Sequence, residues 1–333
     1  MLFSHFKYRR QLSLFLLLPA LLWCTGCRRA QPANAEAQAQ TEQHAAETTA
    51  AVEIRERTMV TLGDSIAAGY GLSDASTQRY SALTAAALTQ QEKNTHWNEY
   101  NYAISGDDSS DLLSLLQGEL PELQNADLIT VCIGANNVLG PGIDFLSACV
   151  EQSVSTDGSV QYTVNSASVS KSYEKFKTDA AGGTDRLQKD LNQICQLIRA
   201  QNTDAPLYFL SVYNPYATVR QTIPIGSINV PFSALSAAAV RSVNRVLEAC
   251  ASENGYRLVP VAQAFADTET VLVNASDPSS PFSYPDPHPN AAGHRVIAQT
   301  LVQAILSPEP DASASADTES TAHTTSADAV PAS

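Results

Sequence analysis

The chain has 333 residues, of which 44% are hydrophobic, and its net charge is −14 at pH 7. So acidic a chain repels the phosphates of nucleic acids, which excludes nucleic acid as a general partner. Once the two ends are set aside, the remaining length fits one domain of about 250 residues with a full hydrophobic core.

Residues 1–27 predict a bacterial secretion signal. A short basic start precedes an apolar run from Leu12 to Trp23, which is too short to span a bilayer core of about 30 Å. The residues before Cys27 resemble a lipobox, in which the cysteine is lipidated, although Cys24 stands where that pattern usually has leucine. We expect an extracytoplasmic protein anchored to the membrane through a lipid on Cys27; simple cleavage and secretion, or an uncleaved anchor, are the alternatives.

Low-complexity segments flank the central domain. Residues 28–57 are rich in Ala, Gln, Glu and Thr, and residues 307–333 are rich in Ala, Ser, Thr and Asp. Segments of this composition cannot bury enough apolar surface to fold. We therefore predict a disordered linker over 28–57, a folded domain over 58–306 and a disordered tail over 307–333.

Within the domain, short apolar runs alternate with longer stretches of helical period, which predicts an α/β fold with a parallel sheet covered by helices. The predicted strands are Met59–Leu62, Asn98–Ile104, Leu128–Ile133, Leu207–Val212 and Arg257–Val261. The predicted helices are Arg79–Gln91, Asp111–Leu116, Asp185–Gln201, Ala234–Asn254 and Ala291–Ile305.

Residues 138–183 fit this alternation poorly, because a polar and β-leaning run from Glu151 to Ser172 lies in their middle. Insertions at the carboxyl ends of parallel strands commonly shape ligand sites. We predict that 138–183 is an insertion that covers the substrate. A surface excursion without function is the alternative.

Polar residues and glycines follow the first three predicted strands. Ser65 comes after Gly-Asp at the end of the first strand, Gly106 follows the second, and Asn136 follows the third. Ligands bind at the carboxyl ends of the strands in an open parallel sheet. A glycine lets a backbone N–H approach a ligand closely, and an asparagine side chain adds another N–H, so these positions suit an oxyanion.

A proline-rich loop carries His288 into the last predicted helix, for which Asn290 is a plausible N-cap. Asp286 stands two residues before His288, close enough to accept the second ring N–H and fix the tautomer. A serine, a histidine and a carboxylate are the groups that nucleophilic catalysis of acyl transfer requires.

These four motifs, in this order over residues 58–306, resemble the SGNH hydrolases, the GDSL-type esterases and lipases. The resemblance implies a three-layer α/β/α sandwich with a flavodoxin-like parallel five-stranded sheet. It also implies hydrolysis of acyl esters through an acyl-enzyme, with no cofactor and no metal. By this resemblance Ser65 is the nucleophile, His288 is the base, and Ser65, Gly106 and Asn136 supply the oxyanion hole.

Two positions depart from the family pattern. The third motif usually ends in aspartate, where this chain has Asn137, and the acid commonly stands three residues before the histidine, where this chain has Pro285. Asp286 is the favoured acid. The open alternatives are Asp267, Asp277 or a dyad without an acid, and the rival base His294 falls where the family has an ordinary helical residue.

The substrate stays open at this level: a small-molecule, glycan or lipid ester all fit. The alternatives to a general esterase are a carbohydrate O-deacetylase and a non-catalytic ligand-binding lipoprotein on the same fold. We expect a monomer. The cysteines show no zinc-site spacing, and an extracytoplasmic location permits a disulfide among Cys149, Cys195 and Cys250, whereas Cys132 fits a core position.

Overall fold

The structure is a computed structural model that describes residues 53–158, 160–164, 166–220, 222–274 and 286–307. The predicted signal with Cys27, most of the predicted linker and nearly all of the predicted tail lie outside these residues. The same is true of Asp277. No helix within the described ranges is both long enough and apolar enough to cross a membrane.

The centre of the fold is a five-stranded sheet in which every neighbouring pair of strands is parallel. The strands in the described residues are β1 Arg55–Gly63, β2 Thr95–Asn101, β3 Leu128–Cys132, β4 Val150–Val154, β5 Val160–Val164, β6 Leu207–Leu210, β7 Thr222–Ile225, β8 Ile228–Pro231 and β9 Arg257–Val259. The sheet order is β2-β1-β3-β6-β9, whereas β4-β5 and β7-β8 form separate antiparallel hairpins. This is the flavodoxin-like order, with its topological switch point between β1 and β3.

Helices cover both faces of the sheet. They are α1 Ser65–Ala68, α2 Ala75–Gln78, α3 Tyr80–Gln91, α4 Ser109–Leu116, α5 Pro121–Gln124, α6 Asn136–Cys149, α7 Ser166–Gln201, α8 Phe232–Asn254, α9 Val261–Ala266 and α10 Ala291–Leu306. The predicted three-layer α/β/α sandwich is confirmed.

The alternation of side chains along the strands divides the core into two layers. In β1, Val60 and Leu62 pack with α4, α5, α7 and α8. Met59 faces the other way and packs with α1, α3, α9 and α10. Strand β3 is buried at every residue, as expected for a central parallel strand covered on both sides.

The range 138–183 is more helical than its sequence indicates. It contains most of α6, the β4–β5 hairpin and the first half of α7. The predicted β-leaning run to Ser172 is wrong at its C-terminal end, because α7 begins at Ser166. Val169, Tyr173 and Phe176 recur there at helical spacing and pack in an apolar cluster with α6 and α8, and the polar residues between them hide this stripe in the sequence.

One predicted boundary shifts, and the open question of a disulfide is answered for the described cysteines. Strand β1 begins at Arg55, inside the segment predicted as linker, because its pairing with β2 starts there. Cys132, Cys149, Cys195 and Cys250 are all buried free thiols, so the structure contains no disulfide among the last three.

Candidate active site

Ser65 stands at the turn from β1 into α1. Gly63, the last residue of β1, has φ +140°, and a Cβ there would lie 2.1 Å from the Cys132 carbonyl oxygen. Only glycine allows the two strand ends to approach this closely. The Asp64 N–H then donates to that same carbonyl at 3.1 Å, and Ser65 begins the helix, 9% exposed. The sequence therefore places the hydroxyl at the switch point of the sheet.

Asp64 stabilises this turn as the N-cap of α1. Its Oδ1 accepts the Ile66 N–H at 2.9 Å and so caps α1. The residue is only 1% exposed, and burial raises the pKa of its carboxyl to about 7, although backbone N–H donors oppose the shift. Asp64 acts on the backbone of the turn, and the carboxylate that contacts His288 is a different one.

The structure brings Ser65, His288 and Asp286 together. His288 Nε2 lies 2.8 Å from Ser65 Oγ, and His288 Nδ1 lies 2.5 Å from Asp286 Oδ1. Because the carboxylate can only accept, Nδ1 carries the proton and Nε2 is the acceptor that faces the hydroxyl. The side chains of His288 and Asp286 are 16% and 10% exposed, so the pair is shielded but open to a ligand.

Neighbours that the sequence did not point to hold this loop. Asn274 donates its Nδ2–H to Asp286 Oδ2 at 2.8 Å, and the Tyr213 hydroxyl donates to the Pro287 carbonyl at 2.8 Å. The ring of Tyr70 lies against His288, with the centroids 4.5 Å apart. No local pattern marks these residues, because each acts on the loop from a distant part of the chain.

Backbone pairing fixes the loop further. The Asn274 N–H donates to the His288 carbonyl at 3.1 Å, and the Asn290 N–H donates to the Leu272 carbonyl at 2.9 Å. Asn290 also caps α10, as its sequence position predicts, by accepting from Ala292 and Gly293. His288 is thus held between a short antiparallel contact and a helix start.

His294, the rival base, is fully buried one turn into α10. Its Nδ1 accepts the Tyr80 N–H at 3.2 Å, and burial lowers its pKa to about 4. A ring used in this way is a neutral packing element. Asp267, an alternative acid, is exposed and accepts the Gln263 side-chain amide at 2.6 Å.

The three predicted oxyanion donors follow β1, β2 and β3, which are neighbours in the sheet. Ser65 N–H is the first backbone donor of α1 and has no acceptor within its helix. Gly106 has φ +98° and is exposed, with nothing within 4 Å of an added Cβ. Asn136 opens α6, and its Nδ2 uses one of its two hydrogens on the Asp107 carbonyl at 2.8 Å, which ties the second loop to the third.

Asn137, the departure from the family pattern, has a buried structural role. Its Oδ1 accepts the Ser109 N–H at 3.2 Å, and its Nδ2 donates to Ser109 Oγ at 2.8 Å and to the Gly183 carbonyl at 3.3 Å. Ser109 Oγ in turn donates to Asp190 on α7 at 2.6 Å. The amide therefore connects the start of α4 to α7 beside the loops that carry Gly106 and Asn136.

A cavity opens next to the Ser65 and His288 side chains. It is lined by residues of α6, α7 and α8 together with the segment that follows β6. In the described part of the chain, no group of three or more His, Cys, Asp or Glu side chains could hold a metal ion. Ser65 and His288 both line the cavity, as do Asp64 and Asn136.

Comparison with known proteins decides the family. The sequence profile of the GDSL-like lipase/acylhydrolase family matches residues 61–296, well over half of the chain. The chain belongs to this family. Its members are described as lipases and acylhydrolases, which are hydrolases that act on esters.

Individual relatives of this GDSL-like protein are distant. The uncharacterized protein YpmR of Bacillus subtilis (strain 168) is 24% identical over 298 residues, which cover 88% of this chain and 93% of YpmR. The extracellular lipase of Streptomyces rimosus superposes with a TM-score of 0.52 at 21% identity, covering 74% of this chain and 99% of that one. Phospholipase A1 of Streptomyces albidoflavus NA297 gives 0.52 at 20% identity, covering 75% and 99%. These likenesses establish the fold.

Proposed function

We propose that this GDSL-like protein is a serine esterase that hydrolyses acyl esters through an acyl-enzyme on Ser65. The observation that carries the proposal is the position of His288, whose two ring nitrogens lie 2.8 Å from Ser65 Oγ and 2.5 Å from Asp286 Oδ1. A nucleophile, a base and an orienting carboxylate in one line support acyl transfer.

In the first half of the reaction, Ser65 Oγ attacks the ester carbonyl carbon while its proton passes to His288 Nε2. The negative charge that develops on the carbonyl oxygen is stabilised by the Ser65 and Gly106 N–H groups and the free Asn136 Nδ2–H. The bond from carbon to the alcohol oxygen then breaks. His288 gives its proton to that oxygen, and the alcohol leaves an acyl-serine behind.

In the second half, water takes the place of the alcohol. His288 accepts a proton from water as its oxygen attacks the acyl carbon, and it returns the proton to Ser65 Oγ as the acid departs. Asp286 stays ionised throughout and stabilises the imidazolium formed in each half. Asn274 supports this role because its bond to Oδ2 leaves Oδ1 directed at the ring.

Replacing Ser65 with alanine should abolish turnover of a chromogenic acyl ester, a loss of at least about 10³-fold in kcat. The purified wild-type protein should form a single adduct with a fluorophosphonate probe, and the variant should form none. Ser73→Ala is the matched control, because Ser73 is an exposed serine near α2. Equal rates for the wild type and Ser65→Ala, or an adduct on another residue, would refute the assignment.

We also propose that the enzyme acts outside the cytoplasm, held to the membrane by a lipid on Cys27. The support is the sequence of residues 1–27, which lie outside the described residues. A labelled fatty acid fed to expressing cells should enter the wild-type protein and be absent from Cys27→Ser, which should leave the membrane fraction. A Cys24→Ser variant is the control, and it should remain labelled.

A further inference from the structure

The cavity beside Ser65 is apolar almost throughout. The space between its lining atoms, with the open mouth included, is about 880 Å³. Ser65, His288 and Asn136 are among its lining residues. The rest of its wall is mainly aliphatic and aromatic, including Leu139, Phe145, Leu146, Phe176, Phe232 and Leu235.

The few polar groups on this wall already have partners. The Tyr213 hydroxyl donates to the Pro287 carbonyl at 2.8 Å, and Ser236 Oγ donates to Asn214 Oδ1 at 2.7 Å. A sugar placed here would bury hydroxyls without partners, and each would cost about 1–3 kcal/mol. An apolar chain has no hydrogen bonds to lose, and its transfer from water into the cavity lowers the free energy.

Aromatic contacts hold part of the cavity wall together. The rings of Phe145 and Phe176 are stacked with their centroids 5.4 Å apart, and those of Tyr216 and Phe232 are 4.9 Å apart. These rings join α6, α7 and α8 into one apolar cluster. The wall therefore consists of packed secondary structure, and the space is preformed.

The length of the space follows from α6. The cavity extends along this helix from Asn136, beside the oxyanion donors, to Leu146, ten residues further on. At 1.5 Å per residue this is about 15 Å. An extended chain advances about 1.2 Å per bond, so the space matches an acyl chain of about 8 to 12 carbons.

We propose that the cavity is the acyl site and that the substrates are esters of medium-length, unbranched apolar acyl chains. The inference rests on the proposed esterase function and narrows it, because an acetyl group would leave most of the space unfilled. Buried methylenes contribute about fourfold each in affinity, so chain length is the main determinant of rate in such a site.

Gly142 on α6 keeps the space open. A Cβ at this position would lie 4.0 Å from Cε2 of Phe176, another residue of the cavity wall. A leucine at 142 would therefore extend into the space that the acyl chain needs. Gly140 lies on the same helix but does not line the cavity; it is exposed and has nothing within 4 Å of an added Cβ.

The test is a series of p-nitrophenyl esters from acetate to dodecanoate, hydrolysed by the wild type, Gly142→Leu and Gly140→Leu. The wild type should prefer octanoate over acetate by about 10²-fold in kcat/KM, less than full burial of six methylenes would give. In Gly142→Leu this ratio should fall by at least about 30-fold, whereas Gly140→Leu should keep it. Because Gly140 precedes Pro141 inside α6, the circular dichroism spectrum and Tm of both variants should be compared with those of the wild type before their rates are compared.

The possible failures are distinguishable. A wild type that forms the Ser65 adduct but prefers acetate, or equal octanoate-to-acetate ratios in the two glycine variants, would overturn the acyl site and leave the esterase standing. If no ester is hydrolysed and no adduct forms, the esterase proposal itself fails, and the acyl site fails with it.

Discussion

Replacing Asp286 with asparagine removes a charge from the site with little change of shape. In the wild type, Asp286 Oδ1 accepts both the backbone N–H and the ring N–H of His288, at 3.0 and 2.5 Å, and Oδ2 accepts from Asn274 at 2.8 Å. An asparagine can keep both bonds at Oδ1. The Nδ2 of the new asparagine then faces Asn274, whose side-chain amide can flip so that its Oδ1 accepts the hydrogen bond. The variant should fold normally.

The expected loss is therefore electrostatic. His288 becomes an imidazolium in the transition state, and its charge lies about 4 Å from that of the carboxylate, allowing for delocalisation in both groups. At an effective dielectric constant of about 20 this attraction is about 4 kcal/mol, which corresponds to about 10³-fold in kcat/KM. Ground-state binding of the ester involves no such charge, so the loss should fall in kcat and leave KM nearly unchanged.

The assay is steady-state hydrolysis of one chromogenic ester by purified wild type, Asp286→Asn and Asp267→Asn. Asp267 is the matched control, because it is exposed and bonded to Gln263. A loss of less than about tenfold in Asp286→Asn would refute the argument and favour a dyad without an acid. A large loss in Asp267→Asn would place the acid there instead.

Two further predictions concern buried titratable groups. The folded-state pKa of Asp64 is raised from 3.8 to about 7, so between these values the folded protein binds more protons than the unfolded protein. The contribution of Asp64 to the free energy of unfolding should therefore fall by about 4 kcal/mol as pH rises from about 4 to 7. Chemical denaturation across this range should show this fall in the wild type relative to Asp64→Asn, and parallel pH profiles of the two proteins would contradict the prediction. In His294→Asn the new side chain can still accept the Tyr80 N–H, so kcat/KM should stay within about threefold of the wild type. In His288→Asn, kcat/KM should fall by at least about 10³-fold. The reverse order of the two losses would identify His294 as the base.

The sheet, and the positions of Ser65, Asn136 and His288 at its edge, were predictable because local features specify them. Apolar runs of four to six residues ending in Gly-Asp-Ser or Gly-Ala-Asn-Asn mark the ends of β1 and β3. A parallel sheet then brings these ends together whatever lies between them. The contact of Asp286 with His288 is likewise local, since two residues separate them within a loop stiffened by prolines.

The surroundings of the site were not predictable because distant parts of the chain supply them. Asn274 and Tyr213 each make one hydrogen bond to the loop that carries His288, and no sequence spacing predicts these bonds. The cavity depends on how α6, α7 and α8 pack, and the first half of α7 was itself missed, because polar residues separate Val169 from Phe176. Composition alone gave no acyl chain length, since chain length is a property of the packed space.

Asn137 shows how a departure from a family pattern can depend on a distant residue. Ser109 Oγ donates its single proton to Asp190 at 2.6 Å, so it can only accept from its other neighbour, and Asn137 Nδ2 supplies that donor at 2.8 Å. An ionised aspartate at 137 could not donate, and it would place a second negative charge near the buried Asp190 carboxylate. The asparagine is therefore compatible with the α7 carboxylate where an aspartate is not, and the loop that carries Gly106 is held to α7 by this pairing.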